Sequence, residues 1–306
     1  MLAQGRSTKP SCLAIVILDY NRPEMTNAAI RSISPREGLY IIVVENGRHA
    51  SAESLDGADS IIEAGSNRGF SAGMNIGIRK AISVGFPYVA LLNNDTVVNP
   101  GAIDRIIDVL DSDSRIGLAV PSRLHSVGLL NSKRNDGQAS FPPTSRASRL
   151  QRTNSGTAYR IVRSVTGFCM VVRAQTFLRV GLLDEDFFFG KEDDEFSDRL
   201  TRAGYALAEV PAAIVRHWVG SSTSLRNEAD AQRLAFHSSR GNILLSRKKN
   251  SSLTVAMCTA IYESARVWMK TVVVSRRPST AVAVSAVRGM VDGARSELHL
   301  PETWKS

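Results

Sequence analysis

The chain has 306 residues, of which 43% are hydrophobic and 22% charged, the balance of a globular protein large enough to bury a sizeable core. Its formal net charge of +9 and pI near 9.8 favour anionic partners: nucleic acid, an anionic membrane surface, or phosphorylated substrates. Structural zinc, a signal peptide and a membrane-spanning helix are not expected: Cys12, Cys169 and Cys258 are far apart and form no cluster with histidine, MLAQGRSTKPS has no apolar core, and no run of about 18 apolar residues exists.

Residues 12–18 (CLAIVIL) read as a buried strand. Asp19, Tyr20, Asn21 and Arg22 follow, and Pro23 opens a helix to about Ile33. Residues 40–44 (YIIVV) form the second strand, ending in Glu45, Asn46 and Gly47; residues 60–63 form a short third. Asn67-Arg68-Gly69-Phe70-Ser71-Ala72-Gly73-Met74-Asn75 then leads into a helix. Its apolar side is Met74, Ile78, Ala81 and Ile82, and Gly85 ends it.

Residues 88–92 (YVALL) are a nearly continuous apolar run, suited to a strand buried on both faces. The run stops at Asn93, Asn94 and Asp95. Polar residues at the carboxyl end of a buried strand stand where α/β sheets hold ligands, although Asn and Asp are also ordinary turn residues. Pro100 opens the next helix, with Asn99 as cap and Ile103, Ile106, Ile107 and Leu110 as buried face. A strand over 116–120 follows. Strand–helix alternation at this spacing predicts a mostly parallel sheet, and its loops bring Asp19–Arg22, Glu45–Gly47 and Asn93–Asp95 to one edge. A nucleotide is the default ligand there.

From Arg123 to about Arg163 periodicity disappears, and a long loop is expected. Residues 164–173 (SVTGFCMVVR) resume as a strand, and 174–180 form a short helix closed by Gly181. The aromatic run Phe187–Phe189 then leads through Gly190 to Glu192, Asp193, Asp194 and Glu195 at a helix start, with Phe196 and Leu200 inward. The helix dipole favours acids there. Four in a row also repel one another, and such crowding raises a pKa as a general base requires. Residues 206–211 and 213–217 are two strand-like pieces, the second ending at His217-Trp218.

Residues 226–306 read as helical. They carry thirteen Lys and Arg against six Asp and Glu, so most of the excess charge lies here. Arg247-Lys248-Lys249 and Arg276-Arg277 flank an amphipathic stretch over 253–274. A solvated basic helix and a membrane-surface helix both fit.

Taken together, these blocks resemble the family 2 glycosyltransferases of GT-A fold, most closely their bacterial rhamnosyltransferase-like members, over roughly two-thirds of the chain. Asp19-Tyr20-Asn21-Arg22-Pro23 matches the family's start, and Glu45-Asn46 its nucleoside-contacting acid. Asn67-Arg68-Gly69-Phe70, with Gly73 and Asn75, matches its Asn-x-Gly-Phe block. Asn93-Asn94-Asp95 stands at its Asp-x-Asp position, Glu192-Asp193 at its catalytic acids, and His217 at a metal-binding histidine. Two departures stand out: Asn93 replaces the first Asp, and the acidic block reads Glu-Asp-Asp-Glu.

The resemblance implies an α/β, GT-A nucleotide-diphosphate-sugar-binding domain over 1–225, with a basic helical region over 226–306. It implies an inverting transfer of a sugar, such as rhamnose or another deoxysugar, to a hydroxyl of a cell-surface glycan or lipid-linked acceptor. Asp193 and Glu192 would be catalytic. Asp19, Asn21, Arg22, Glu45, Asn67, Gly69, Phe70, Gly73, Asn75, Asn93, Asn94 and Asp95 would bind the donor. Asp95 and His217 would hold Mg²⁺ or Mn²⁺, offsetting the charge of the leaving diphosphate. Arg22, Arg68 and Lys191 are candidate phosphate or acceptor contacts. The expected location is cytoplasmic and peripheral to the inner membrane face.

Read on their residues alone, His217 also fits an edge histidine, Trp218 a core or a stacking residue, and Gly69 and Gly73 plain packing glycines. A sugar nucleotidyltransferase is the first alternative, although it would carry a Gly-rich basic loop after the first strand. A nucleic-acid-binding protein is the second, but the aromatics lie among acids, which repel phosphates. An inactive transferase is the third, because of Asn93.

Overall fold

The computed structural model describes residues 13–47, 55–125, 149–217, 228–275 and 279–298. Cys12, most of the expected loop (126–148), Trp218 and Arg276-Arg277 lie outside the described residues. In chain order the elements are β1 (Leu13–Asp19), α1 (Pro23–Ser32), β2 (Leu39–Glu45), β3 (Ser60–Glu63), α2 (Phe70–Val84), β4 (Tyr88–Asn93), β5 (Thr96–Val98) and α3 (Ala102–Ser112). There follow β6 (Ile116–His125), β7 (Gln151–Arg152), β8 (Ala158–Val162), β9 (Cys169–Arg173), α4 (Ala174–Val180), α5 (Glu192–Arg202) and β10 (Ala206–His217). The last three are α6 (Glu228–Lys248), α7 (Leu253–Ser275) and α8 (Thr280–Arg295).

One sheet runs in the order β3-β2-β1-β4-β9-β6-β10-β8-β7, with β5 paired to β10. It is parallel through β3-β2-β1-β4 and again between β6 and β10. Strand β9 runs antiparallel between the two parts, so the sheet is mixed. The apolar run of β1 is continuous because both faces are covered. Leu13, Ile15 and Ile17 join a core with Ile30 of α1 and Ile103 and Ile106 of α3; Ala14 and Val16 join another with Met74 and Ile78 of α2 and Phe196 of α5.

Three local expectations change. Helix α3 begins at Ala102, and its cap is Gly101 in the left-handed region (φ 72°), not Asn99. The physical reason is β5: Thr96–Val98 pairs antiparallel with Val215–His217, and Asn99 N–H continues that ladder to Ile214 O at 3.1 Å. The two strand-like pieces over 206–217 are one strand, β10, whose register against β6 shifts between Val210 and Ile214, around Pro211. Within the expected loop, β6 extends to His125, and β7 and β8 form an antiparallel pair.

Helices α6, α7 and α8 share a small core of Ala231, Ala235, Val267, Val282 and Ala286. Among the described residues no helix is long and apolar enough to cross a membrane. The basic flank read at Arg247-Lys248-Lys249 is corrected: it is not a free charged surface. Lys248 is buried between Asp184 and Asp186, Arg247 donates to the carbonyls of Gly293 and Ser296, and Lys249 Nζ lies 3.5 Å from Asp198.

Candidate active site

The carboxyl ends of β1, β2 and β4 meet the starts of α2 and α5 along one edge of the sheet. At the β4 end, Asn93 N–H donates to Phe168 O at 3.0 Å, and Thr96 Oγ1 closes the turn onto Asn93 O at 2.6 Å. Asp95 is 2% exposed. Its Oδ1 lies 3.0 Å from His217 Nε2. The β5–β10 pairing sets Thr96 opposite His217 and so brings the two side chains together. The imidazole stacks on Phe168, with ring centroids 5.4 Å apart at 14°.

The same short segment reaches the acidic helix. Gly167 N–H, beside Phe168, donates to Asp193 Oδ2 at 2.9 Å, and Asp193 Oδ1 accepts from Asp194 N–H at 2.9 Å. Burial and then the Asp194 charge push the Asp193 carboxyl above the usual carboxylate range.

The four acids, indistinguishable by residue type, are sorted by their surroundings. Glu195 is 0% exposed and is gripped by both ends of the Arg199 guanidinium, at 2.9 and 2.8 Å. Asp194 pairs with Lys191 Nζ at 3.1 Å. Burial lowers the pKa of that ammonium, but Asp194 outweighs it and the net shift is upward. Glu192 is buried, and burial, reinforced by Asp193, pushes its carboxyl up to about 8. Lys191, the α5 cap, has φ 78°, a left-handed conformation rare for a lysine.

At the β1–β2 end of this edge, Asp19 and Glu45 are neighbours across the two strands. Both are buried, and burial raises both carboxyl pKa values; for Asp19 hydrogen bonds from Thr26 and Asn94 oppose it, and for Glu45 the charges of Glu63 and Asp19 add to it. Asn21 sits at φ 53° against Gly47, and Arg22 is the α1 cap. Asn46 Nδ2 donates to Asn67 Oδ1 at 3.2 Å and to Gly69 O at 3.0 Å, while its Oδ1 accepts from Arg68 N–H at 2.9 Å. The Asn67–Gly69 loop is therefore built by Asn46. Phe70 N–H donates to Phe188 O at 2.7 Å, and Gly69, at φ 84°, lets that carbonyl pass where a Cβ would stand 2.5 Å from it. Gly73 packs on Leu18 and Asn46. Asn75 holds the α4–α5 connection instead of facing the edge: its Nδ2 donates to Leu183 O at 2.8 Å and Glu185 Oε1 at 2.9 Å.

The buried side-chain atoms without a hydrogen-bond partner among the described residues include Glu45 Oε1, Ser71 Oγ, Asn93 Oδ1, Glu192 Oε2 and His217 Nδ1. All belong to the blocks singled out above. Buried polar atoms are normally satisfied, so such a gathering marks a surface made for a polar ligand. A divalent cation fits the Asp95–His217 pair in donor chemistry, one carboxylate and one imidazole. No group of three or more His, Cys, Asp or Glu side chains able to hold a metal occurs among the described residues, so the rest of the coordination sphere would come from ligand and water.

Sequence reasoning missed Gly167 and Phe168, which carry no motif, and it missed the role of α6. His237 of α6 stacks on Phe188 with centroids 4.5 Å apart. Burial first, then Arg240 and Arg233, lower its pKa.

The mixed sheet of this order, with its covering helices, is that of the GT-A glycosyltransferase fold. The chain shares it with a mannosyltransferase from Pyrobaculum calidifontis solved with GDP-Man and Mn²⁺ (TM-score 0.55, 13% identity, 92% of this chain and 80% of that one). It shares it also with GalNAc-T7 solved with UDP, GalNAc and Mn²⁺ (TM-score 0.52, 17% identity, 82% and 57%). Residues 10–235 match the family described as "Glycosyltransferase like family 2", and the chain belongs to that family. Among curated relatives, it is 28% identical over 199 residues to the N-acetylglucosaminyl-diphospho-decaprenol L-rhamnosyltransferase of Mycobacterium tuberculosis. That match spans 58% of this chain and 63% of the relative's length. It is 23% identical over 217 residues to the dTDP-rhamnosyl transferase RfbF of Shigella flexneri, covering 68% of this chain and 69% of the relative.

Proposed function

We propose that the protein is an inverting, metal-dependent glycosyltransferase that moves a deoxysugar, rhamnose in the first instance, from a nucleotide diphosphate to a hydroxyl of a lipid-linked or cell-surface glycan. The observation that carries this reading is the Gly167–Phe168 segment. It ties the Asp193 carboxylate to the Asp95–His217 pair along a single edge. Rhamnosyl transfer, named for both relatives, supports the choice of sugar, and the diphospho-decaprenol in the name of the first supports the choice of acceptor.

In this mechanism Asp19, Glu45 and the Asn67–Phe70 loop hold the nucleoside. Asp95 and His217 would hold the cation, Mg²⁺ or Mn²⁺, which offsets charge on the donor diphosphate when bound. Asp193 takes the proton of the acceptor hydroxyl as that oxygen bonds to the anomeric carbon. The bond from that carbon to the diphosphate breaks, the nucleoside diphosphate leaves, and attack from the opposite face inverts the centre. The two backbone N–H groups on Asp193 fix its carboxylate for this task. A second reading makes Glu192 the base. It is favoured by its unpartnered Oε2 and by a carboxyl that burial raises to about 8, close to the working pH of a general base.

Residues 1–225 are the proposed transferase domain and 226–306 its helical appendage. We further propose peripheral attachment of that appendage to a bilayer. Val255, Met257, Ile261, Tyr262 and Met269 of α7 and Val284, Val287 and Val291 of α8 are exposed apolar side chains, which supports it.

A panel of nucleotide sugars with Mg²⁺ or Mn²⁺, read by thermal shift, tests the donor assignment. A thymidine-diphosphate sugar is expected to stabilise the protein; no shift with any donor would overturn the reading.

A further inference from the structure

We infer, on the transferase reading above, that Lys248 is a positioning residue: from α6 it pins the 184–191 connection and thereby sets the acidic start of α5. Its side chain is 0% exposed, and Nζ lies 2.6 Å from both Asp184 Oδ2 and Asp186 Oδ2. A buried ammonium held by two carboxylates is costly to desolvate and strict in geometry. Its carboxylates stand just ahead of the aromatic run that leads into α5. Three further contacts from α6 act on the same connection. Arg240 donates to Asp186 O. His237 stacks on Phe188. Gly241 lets the turn approach so closely that a Cβ would stand 3.1 Å from Gly190 O. That turn sets Lys191 at its left-handed φ of 78°, the conformation from which α5 starts.

The donor loop has its own support. Asn46 and Asn67 hold it through side-chain hydrogen bonds that do not involve α6, and it meets the connection through Phe70 N–H, which donates to Phe188 O. Loosening Lys248 should therefore disturb Asp193 and Glu192 far more than it disturbs donor binding. Helix α6 becomes a support that positions the catalytic acids, not merely an attachment to the domain.

The test compares the full-length wild type with Lys248→Met, Lys248→Arg and the triple variant Lys248→Met, Asp184→Asn, Asp186→Asn. The triple variant removes the charges left unpaired by the single change, so it should fold with stability near wild type. Turnover and donor affinity are measured on each. The expected result is a fall in kcat of about 10²-fold in the triple variant, the scale of a small misplacement near the chemistry, with a much smaller change in donor Kd. Lys248→Arg should recover part of the loss. Wild-type kcat in a folded triple variant would overturn the inference. A parallel loss of donor affinity and kcat would also overturn it, because it would show a general structural role. A wild type that binds no nucleotide sugar would instead overturn the transferase reading itself.

Discussion

His217 Nε2 lies 3.0 Å from Asp95 Oδ1 although the two are far apart in the chain: the three-residue strand β5 sets them side by side. With only these two protein groups, cation affinity should be poor until the donor diphosphate completes the sphere. Calorimetry should show strong Mn²⁺ binding only with nucleotide diphosphate present. His217→Ala should weaken it by at least the about 10–100-fold seen on losing a supporting partner. Full turnover of the wild type in excess chelator would return His217 to the status of an edge histidine.

Glu192 links the site to stability. Its carboxyl rises from an ordinary 4.5 to about 8 on folding, with burial the main cause and Asp193 second. A raised carboxyl holds its proton in the native state after the unfolded chain has lost it. Its stabilising share is complete below the lower value and disappears as pH climbs through the upper one. Glu192→Gln should leave stability at acidic pH nearly unchanged. At pH above the upper value it should stabilise the fold, on the order of a few kcal/mol. Urea unfolding at the two extremes checks this, and equal midpoint changes at both would refute the burial argument.

The outward apolar side chains of α7 and α8 should drive membrane attachment more than charge does, since Arg247, Lys248 and Lys249 are engaged within the fold. Vesicle flotation should therefore persist at high salt, and Ile261→Asp with Val287→Asp should abolish it. Flotation lost in salt but indifferent to the two substitutions would point to basic residues instead.

Much of this sheet edge is legible in the sequence because β1, β2 and β4 are buried on both faces, so their apolar runs end sharply in polar residues. Strand β5 was not, because Thr96–Val98 is too short for a periodic signal and gains its partner only from β10, far along the chain. The α3 start is hidden for the same reason: Asn99 is a good capping type, but it belongs to the β5 ladder, its N–H donating to Ile214 O, and the helix begins only after Gly101. Lys248 was read as surface because composition cannot reveal that Asp184 and Asp186 enclose it. The acids of α5 could not be ranked because Glu195 finds Arg199 one turn later, while Asp193 finds its fixed place only through Gly167.

The identity of the base is the central claim, and Asp193→Asn tests it most directly. Asparagine keeps the shape and one acceptor for Gly167 N–H but takes no proton. Single-turnover rates and donor affinity should be measured with Glu192→Gln and Asp194→Asn beside it. Asp193→Asn should lose about 10²–10⁴ in rate with donor affinity near wild type. Retention of more than about a tenth of the wild-type rate, well short of that range, with Glu192→Gln losing it, would contradict the account and make Glu192 the base.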